Sequence, residues 1–276
     1  MPEISIIIPC YNQGHYLAGA VRSVQAQTMD DWECIVINDS STDNTLSTAT
    51  DLAIADKRIK VINSETNLKL PGARNLGIKH AQGSFILPLD ADDKIAVDYC
   101  GKALAAFKKY PGAKLVYGRA ELFGETSGSW QLPDYQYGLL FARNPIHCSA
   151  VFRKADALAA GCYDESFINS YEDWDLWLRL INEDDIVIQL DSVGLYYRQT
   201  ADSMSRQFHR SKMQVQSVYK TLINKHFEKF SQWQENRLPF FLEAYNIQAM
   251  REKKIDNNFF AKQVYRLAKS IARLTK

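Results

Sequence analysis

The chain has 276 residues, of which 46% are hydrophobic and 24% are charged, as is ordinary for a soluble globular protein of one large domain or a domain with an appendage. The net charge is only +1, which argues against a polyanion-binding chain, and we expect no nucleic-acid partner. The charge is uneven, however. Residues 207–276 carry fourteen Lys and Arg against five Asp and Glu, a net of +9, and the remainder carries −8. We therefore expect a basic appendage beside an acidic body.

The five cysteines are odd in number, scattered, and never spaced as C-x-x-C. This pattern indicates neither a disulfide framework nor a zinc site, and it fits a reducing cytosol. The first residues enter an apolar strand without the basic start and long apolar core of a signal peptide, and no apolar stretch reaches about 18 residues. We expect a cytoplasmic protein without a transmembrane span.

Strand and helix patterns alternate over the first 90 residues. Short β-branched and apolar runs predict strands over residues 4–8, 34–37, 58–62 and 84–89. Helical spacing and capping residues predict helices around residues 16–24, 43–55 and 71–80. This alternation with short connections predicts βαβ units with right-handed crossovers around a parallel twisted sheet. The predicted fold class is α/β.

Beyond residue 90 the pattern is less regular. We predict helices near residues 95–109, 153–160 and 171–181, and strands over 114–122, 186–190 and 194–197. Residues 124–144 have no clear period, which predicts a loop or small excursion over the site. From about residue 207 the pattern is helical, interrupted at Pro239. We predict a domain over residues 1–206, with halves at about 1–110 and 111–206, and a basic helical region over 207–276.

Three polar clusters follow predicted strands, at residues 9–12, 38–41 and 90–93. Ligands of open α/β sheets bind beyond the carboxyl ends of the strands, so we expect the three clusters to share one rim. Asp39 could accept hydrogen bonds from a base or ribose there, and the helix N-terminus beside it would favour phosphate oxygens. The alternative interpretation of residues 39–45 is a helix cap with a polar turn.

The segment Asp90-Ala91-Asp92-Asp93 delivers three carboxylates at the end of an apolar run. Hard oxygen ligands gathered at a strand end suit a divalent cation, which in turn would hold a diphosphate. The alternative is a solvated turn whose acids lead into the next helix. No G-x-G-x-x-G or G-x-x-x-x-G-K-[ST] motif is present, which argues against a dinucleotide enzyme and a P-loop NTPase.

The ordered segments 5–12, 36–45, 72–78 and 89–93 resemble the successive signatures of family 2 glycosyltransferases with the GT-A fold. Residues 164–167, followed by 172–179, resemble the acceptor-side segment of the same family. The resemblance covers about residues 4–205. It implies a metal-dependent, inverting enzyme that uses a nucleotide-diphospho-sugar, for which we expect a UDP-sugar. The implied acceptor is a hydroxyl of a saccharide or of a lipid-linked envelope glycan.

The resemblance also implies roles for single residues. Those expected to bind the donor are Pro9, Tyr11, Asn12, Asp39, Ser41, Arg74 and Asp90. Asp90 and Asp92 match the motif for the diphosphate and for Mn²⁺ or Mg²⁺, and Asp92 is expected to coordinate the cation directly. Asp93 is expected to support the site from behind or to be an acid at a helix start. Asp173 matches the catalytic base.

The acceptor side is predicted around Asp173. Inversion needs a base on the face opposite the leaving diphosphate, and a separate segment delivers this carboxylate. Glu172 and Asp173 point about 100° apart on a helix, so both cannot aim equally well at one acceptor. Glu172, Trp174 and His147 are placed on the acceptor side. The alternatives are an acidic first turn over an apolar core and, for His147, a satisfied histidine.

The chain departs from the family at one position that bears on the cation. Relatives carry His in a Y-R-x-H pattern where this chain has Thr200, so a third protein ligand is not provided there, and His209 is only a weak substitute. Residues 259–276 show apolar and basic side chains at helical spacing, which predicts either a helix at a membrane surface or one packed on the domain.

Two other functions stay open. One is a sugar-nucleotide nucleotidyltransferase, although the Gly-rich basic loop that it needs after the first strand is missing; the other is a catalytically inactive relative that serves as a binding subunit.

Overall fold

The computed structural model describes residues 1–168, 171–200 and 211–234. The chain forms two compact units. The first comprises Met1–Tyr135 and Pro145–Ser203, and the second comprises Gln136–Asn144 together with Met204–Lys276. The predicted Pro239 break and the helix over residues 259–276 lie outside the described residues, as does His209.

The first unit is built on one sheet flanked by helices. Its strands are β1 (Ile4–Cys10), β2 (Trp32–Asn38), β3 (Ile59–Asn63), β4 (Phe85–Pro88), β5 (Lys94–Ile95), β6 (Ala113–Gly124), β7 (Gly128–Trp130), β8 (Val151–Arg153) and β9 (Ile186–Gln199). Its helices are α1 (Gly14–Gln25), α2 (Thr45–Ala55), α3 (Lys69–His80), α4 (Tyr99–Lys109), α5 (Lys154–Ala159) and α6 (Glu172–Leu180). The predicted α/β class is confirmed.

The strands β3, β2, β1 and β4 lie side by side in that order, and all three pairings are parallel. Every residue of β1 and β2 is buried, because helices cover both faces of a parallel sheet and leave no polar side to the strand. Leu17 and Val24 of α1 pack in the same apolar core. This half of the sheet agrees with the prediction, apart from strand ends that differ by a few residues.

The other half of the sheet is mixed, and here antiparallel pairs join the parallel ones. β8 pairs antiparallel with both β4 and β6, and β5 pairs antiparallel with β9. The sequence predicts a helix from residue 153, which is the last residue of β8. This strand is not predicted, because three residues are too few to show an alternating pattern. It is recognisable only once β4 and β6 are placed on either side of it.

The strand β9 runs unbroken for fourteen residues, where the sequence predicts two short strands. The polar residues Asp191 and Ser192 favour a break between two strands. The structure accommodates them within β9, because the register against β6 shifts around Arg119. Gly118 faces Gly194 there, and a Cβ on Gly118 would lie only 2.6 Å from the backbone nitrogen of Gly194. The irregular pairing thus needs glycine at position 118, whereas a Cβ on Gly194 would meet the Tyr99 ring.

The second unit contains a 3-10 helix (Tyr137–Phe141) and, among its described residues, the helices α7 (Lys212–Lys225) and α8 (Phe227–Gln234). The Phe141 ring lies 5.4 Å from that of Phe230 and 5.3 Å from that of Trp233, centroid to centroid. Residues 136–144 therefore contribute aromatic packing to this unit. The predicted loop over 124–144 holds this helix and β7 as regular elements.

Candidate active site

The ends of β1 and β2 are joined by reciprocal hydrogen bonds between two polar loops. The Asn12 backbone N–H donates to Ser41 Oγ at 3.0 Å, and the Thr42 N–H donates to Asn12 Oδ1 at 2.8 Å. Both Asn12 (φ 53°) and Ser40 (φ 60°) adopt the left-handed conformation, which costs energy in residues with a side chain. The two clusters therefore share the rim predicted from the sequence.

Asp39 connects this rim to α3. Its backbone N–H donates to the Cys10 carbonyl at 2.9 Å, and its Oδ1 accepts the Leu68 N–H at 2.7 Å. The side chain is buried, and burial raises its pKa despite these hydrogen bonds. Beside it, Tyr11 is 49% exposed, whereas Pro9 lies within β1. Asn12, Asp39 and Ser41 are thus brought together, with an exposed aromatic ring next to them.

The acidic turn follows β4 and is held by β9. Asp93 Oδ1 accepts the Arg198 backbone N–H at 2.7 Å, and Arg198 Nε donates to the Asp92 carbonyl at 2.8 Å. Burial, and then the neighbouring charge of Asp90, raise the pKa of Asp92 to about 6. A bound cation would oppose both effects, because its positive charge favours the ionised form of a carboxylate.

The donor atoms around Asp90 fit a divalent cation. One ligand atom each of Asp90, Asp93 and Cys148 lie within 4.8 Å of one another, and Cys148 Sγ lies 3.8 Å from Asp90 Oδ2. Asp93 Oδ2 is buried and has no hydrogen-bond partner among the described residues. This cluster includes Asp93 and Cys148 and omits Asp92, the acid expected to coordinate directly. Cys148 comes from a distant loop, and nothing in its local sequence pointed to the site.

Arg74 is buried between two of the acids. Its side chain is 1% exposed; Nη1 donates to Glu172 Oε1 at 2.6 Å and Nη2 to Asp90 Oδ1 at 2.7 Å. Burial alone would lower the pKa of Arg74, but Asp90 and Glu172 more than offset it and raise the pKa well above its ordinary value. Arg74 is therefore a buried, permanently charged partner of two acids.

Asp173 stands at the start of α6, directly after Tyr171 and Glu172. Tyr171 is left-handed (φ 69°), and Asp173 Oδ1 accepts the Trp174 N–H at 2.7 Å. The preceding residue, Glu172, is joined through Arg74 to Asp90, which places the start of α6 near the acidic turn. Glu172 turns inward to Arg74, in agreement with the expected divergence of the two acids.

Two residues placed on the acceptor side lie in the core. His147 is 2% exposed, its Nε2 lies 3.1 Å from the Gly118 carbonyl, and burial lowers its pKa to about 4. The Trp174 indole is likewise buried and packs edge-on against Tyr171. Neither side chain presents surface to an acceptor in this conformation, because both are buried. Among the described residues, no helix has the length and apolar character to cross a bilayer.

Comparison with known proteins identifies the family. The profile described as Glycosyl transferase family 2 matches residues 5–167, more than half of the chain. The chain belongs to this family. It is 31% identical over 206 residues to the Escherichia coli UDP-Glc:alpha-D-GlcNAc-diphosphoundecaprenol beta-1,3-glucosyltransferase WfgD, covering 73% of this chain and 79% of that protein.

Two solved structures show the same fold. TarS 1-349 of S. aureus in complex with UDP-GlcNAc superposes with a TM-score of 0.64 at 20% identity, covering 97% of this chain and 92% of that one. The mannosyltransferase PcManGT of Pyrobaculum calidifontis, in complex with GDP-Man and Mn²⁺, gives 0.63 at 16% identity, covering 98% and 80%. The GT-A-type fold is confirmed.

The chain is therefore a glycosyltransferase related to enzymes of cell-envelope glycan synthesis. Membership of this family favours sugar transfer over nucleotidyl transfer, in line with the missing Gly-rich loop after β1. The buried ion pairs of Arg74 could not be found from sequence, since Arg74 and Glu172 lie 98 residues apart.

Proposed function

We propose that this glycosyltransferase moves a sugar, with inversion, from a UDP-sugar to a hydroxyl of a saccharide or lipid-linked glycan. The main support is the convergence of Asp39, the acidic turn and Asp173 on the carboxyl end of one sheet. The printed names of WfgD and TarS associate similar proteins with UDP-Glc and UDP-GlcNAc. The name of WfgD, which specifies a diphosphoundecaprenol-linked sugar, supports the proposed acceptor class.

Asp173 is the proposed base. In a single displacement the acceptor oxygen attacks the anomeric carbon, the bond from that carbon to the diphosphate oxygen breaks, and the nucleoside diphosphate leaves with the electron pair. The acceptor proton passes to the Asp173 carboxylate. The position of Asp173 in the first turn of α6 supports this role, because the positive end of a helix favours a carboxylate that stays ionised until the proton arrives.

Asp90 and Asp92 are the proposed holders of Mn²⁺ or Mg²⁺, with Asp93 supporting the turn through Arg198. When bound, such a cation supplies positive charge against the negative charge that develops on the leaving diphosphate. Asp39, Asn12, Ser41 and Tyr11 are proposed to hold the nucleoside. The exposed Tyr11 ring offers a surface on which a base can stack, and the adjacent polar groups offer hydrogen bonds to a ribose.

The basic region over residues 207–276, with a net charge of +9, is proposed to bring the enzyme to the anionic inner face of the membrane, where lipid-linked acceptors lie. Sedimentation with vesicles of anionic and of zwitterionic lipid measures this contact. We expect binding to anionic vesicles that weakens as salt rises, and equal binding to both kinds would contradict it.

The donor assignment is tested by thermal shift with a panel of nucleoside diphosphates and their sugars, with and without Mn²⁺. A true ligand raises the melting temperature in proportion to the logarithm of its concentration over Kd. We expect UDP with Mn²⁺ to stabilise the protein most, and a matching UDP-sugar to be turned over with a polyprenyl-diphosphate-linked sugar acceptor. Equal shifts with every nucleotide, independent of Mn²⁺, would contradict the proposal.

A further inference from the structure

The two halves of the active site are joined through one buried guanidinium. Arg74 comes from α3 and binds Asp90 of the acidic turn with one terminal nitrogen and Glu172 of α6 with the other. The Tyr163 ring lies 5.3 Å from the guanidinium carbon, and Nε has no hydrogen-bond partner among the described residues. Both contacts of the guanidinium group are therefore with carboxylates of the site.

We propose that Arg74 and Glu172 are positioning residues, which set the N-terminus of α6, and with it Asp173, at a fixed place relative to Asp90. This inference rests on the proposed function, in which Asp173 takes the acceptor proton and Asp90 lies at the diphosphate. The residue types suit the task. A guanidinium is planar and always charged, so it holds two carboxylates at fixed directions, which an ammonium does not.

The geometry explains why the neighbouring acids Glu172 and Asp173 have different roles. They are adjacent on α6 and point about 100° apart, so the one that turns inward orients the helix while the other faces the site. Glu172 is buried and ion-paired, whereas Asp173 is half-buried. A proton acceptor displaced by about 1 Å loses much of its rate advantage, so an anchor on the preceding residue affects turnover directly.

The experiment compares Glu172→Gln with Asp173→Asn and with the double variant. Gln keeps the shape and one acceptor for Arg74 but loses the charge. We expect Glu172→Gln to lower kcat about tenfold, while the affinity for UDP at saturating Mn²⁺, measured by calorimetry, changes less than twofold. In the Asp173→Asn background the same substitution should cause no further loss, because a positioning residue acts through the base that it positions.

Several outcomes would overturn the inference. If Glu172→Gln lowered kcat by the same factor with and without Asp173, it would act independently of the base. Unchanged kcat in the folded variant would assign the ion pair to stability alone. Loss of transfer in Asp173→Asn with full turnover in Glu172→Gln would leave the proposed function intact and remove only this inference. Full turnover in Asp173→Asn would overturn both together.

Arg74→Lys provides the second test, should Glu172→Gln fail to fold, as judged by circular dichroism. A lysine ammonium can reach one carboxylate well but not hold both. We expect a loss of kcat in this variant that is again absent in the Asp173→Asn background. Equal losses in both backgrounds would contradict positioning through Asp173.

Discussion

Asp93 Oδ1 accepts a hydrogen bond from the Arg198 backbone at 2.7 Å, across 105 residues of sequence. This bond connects the acidic turn after β4 to β9. The Asp93 side chain therefore has a structural role that the Asp92 side chain does not share. The Arg198 side chain adds a second tie to the turn through the Asp92 carbonyl. The two adjacent acids therefore make a matched pair for mutation.

The first prediction compares Asp92→Asn with Asp93→Asn. Asn at position 93 keeps an oxygen that can accept the Arg198 N–H, so we expect Mn²⁺-dependent UDP affinity to fall less than about threefold. Asn at position 92 removes a proposed cation ligand and should lower that affinity at least about tenfold, as about 1.4 kcal/mol suffices for this factor. Calorimetry with UDP and Mn²⁺ measures both. The opposite ranking would move the cation to Asp93, Asp90 and Cys148.

The second prediction concerns Asp173→Asn. The amide cannot take the acceptor proton, so kcat should fall about 10² to 10⁴-fold, the usual contribution of general-base catalysis. UDP affinity should change less than twofold, because the proposed nucleotide contacts lie in the loops that follow β1 and β2. Turnover assays and calorimetry on the same preparation separate the two effects. Weakened UDP binding in this variant would show that Asp173 belongs to the donor site.

The third prediction uses two helical glycines. A Cβ on Gly77 of α3 would overlap Cγ2 of Ile7, a buried residue of β1, whereas a Cβ on Gly101 of α4 would meet only Thr28 Oγ1, at 4.0 Å. Gly77→Ala should therefore lower the free energy of unfolding by about 1–3 kcal/mol through overpacking. Gly101→Ala should raise it by about 0.5–1 kcal/mol, since alanine loses less backbone entropy in a helix. Chemical denaturation measures both, and equal signs would contradict the packing of α3 on β1.

The fourth prediction concerns pH and His147. Burial lowers its pKa from the ordinary 6.5 to about 4, so below pH 6.5 the unfolded chain binds a proton that the folded chain does not. The contribution of the neutral His147 side chain to the free energy of unfolding is therefore fully present above pH 6.5. This contribution decreases by up to about 3 kcal/mol as the pH drops towards 4.

The measurement is the difference in unfolding free energy between the wild type and His147→Gln from pH 7.5 to 4.5. Subtraction is needed because the raised pKa of Asp92 acts in the opposite direction, with stability falling as the pH rises from about 4 to 6. We expect the variant to lose less stability on acidification than the wild type. Parallel curves would show that His147 is accessible to protons in the folded protein.

Local pattern was enough for the first half of the fold. The β-branched runs of β1 and β2 and the apolar spacing of α1 depend only on near neighbours, and the structure confirms them. The pattern was insufficient where partners decide the element. β8 has three residues and is a strand because β4 and β6 lie on either side, and β9 passes Asp191 because its register against β6 can shift.

The α/β class, the family, and the arrival of Asp39 and the acidic turn at one sheet edge follow from the sequence alone, because local periodicity marks where strands end and the carboxyl ends of parallel strands lie at one edge. Only the tertiary structure decided that Arg74 is buried between Asp90 and Glu172, that Cys148 joins the acids, and that His147 and Trp174 are core. The reason is physical: the direction and burial of these side chains depend on partners elsewhere in the chain, 16 residues away for Arg74 and Asp90, 58 for Cys148 and Asp90, and 98 for Arg74 and Glu172, and no local pattern records them.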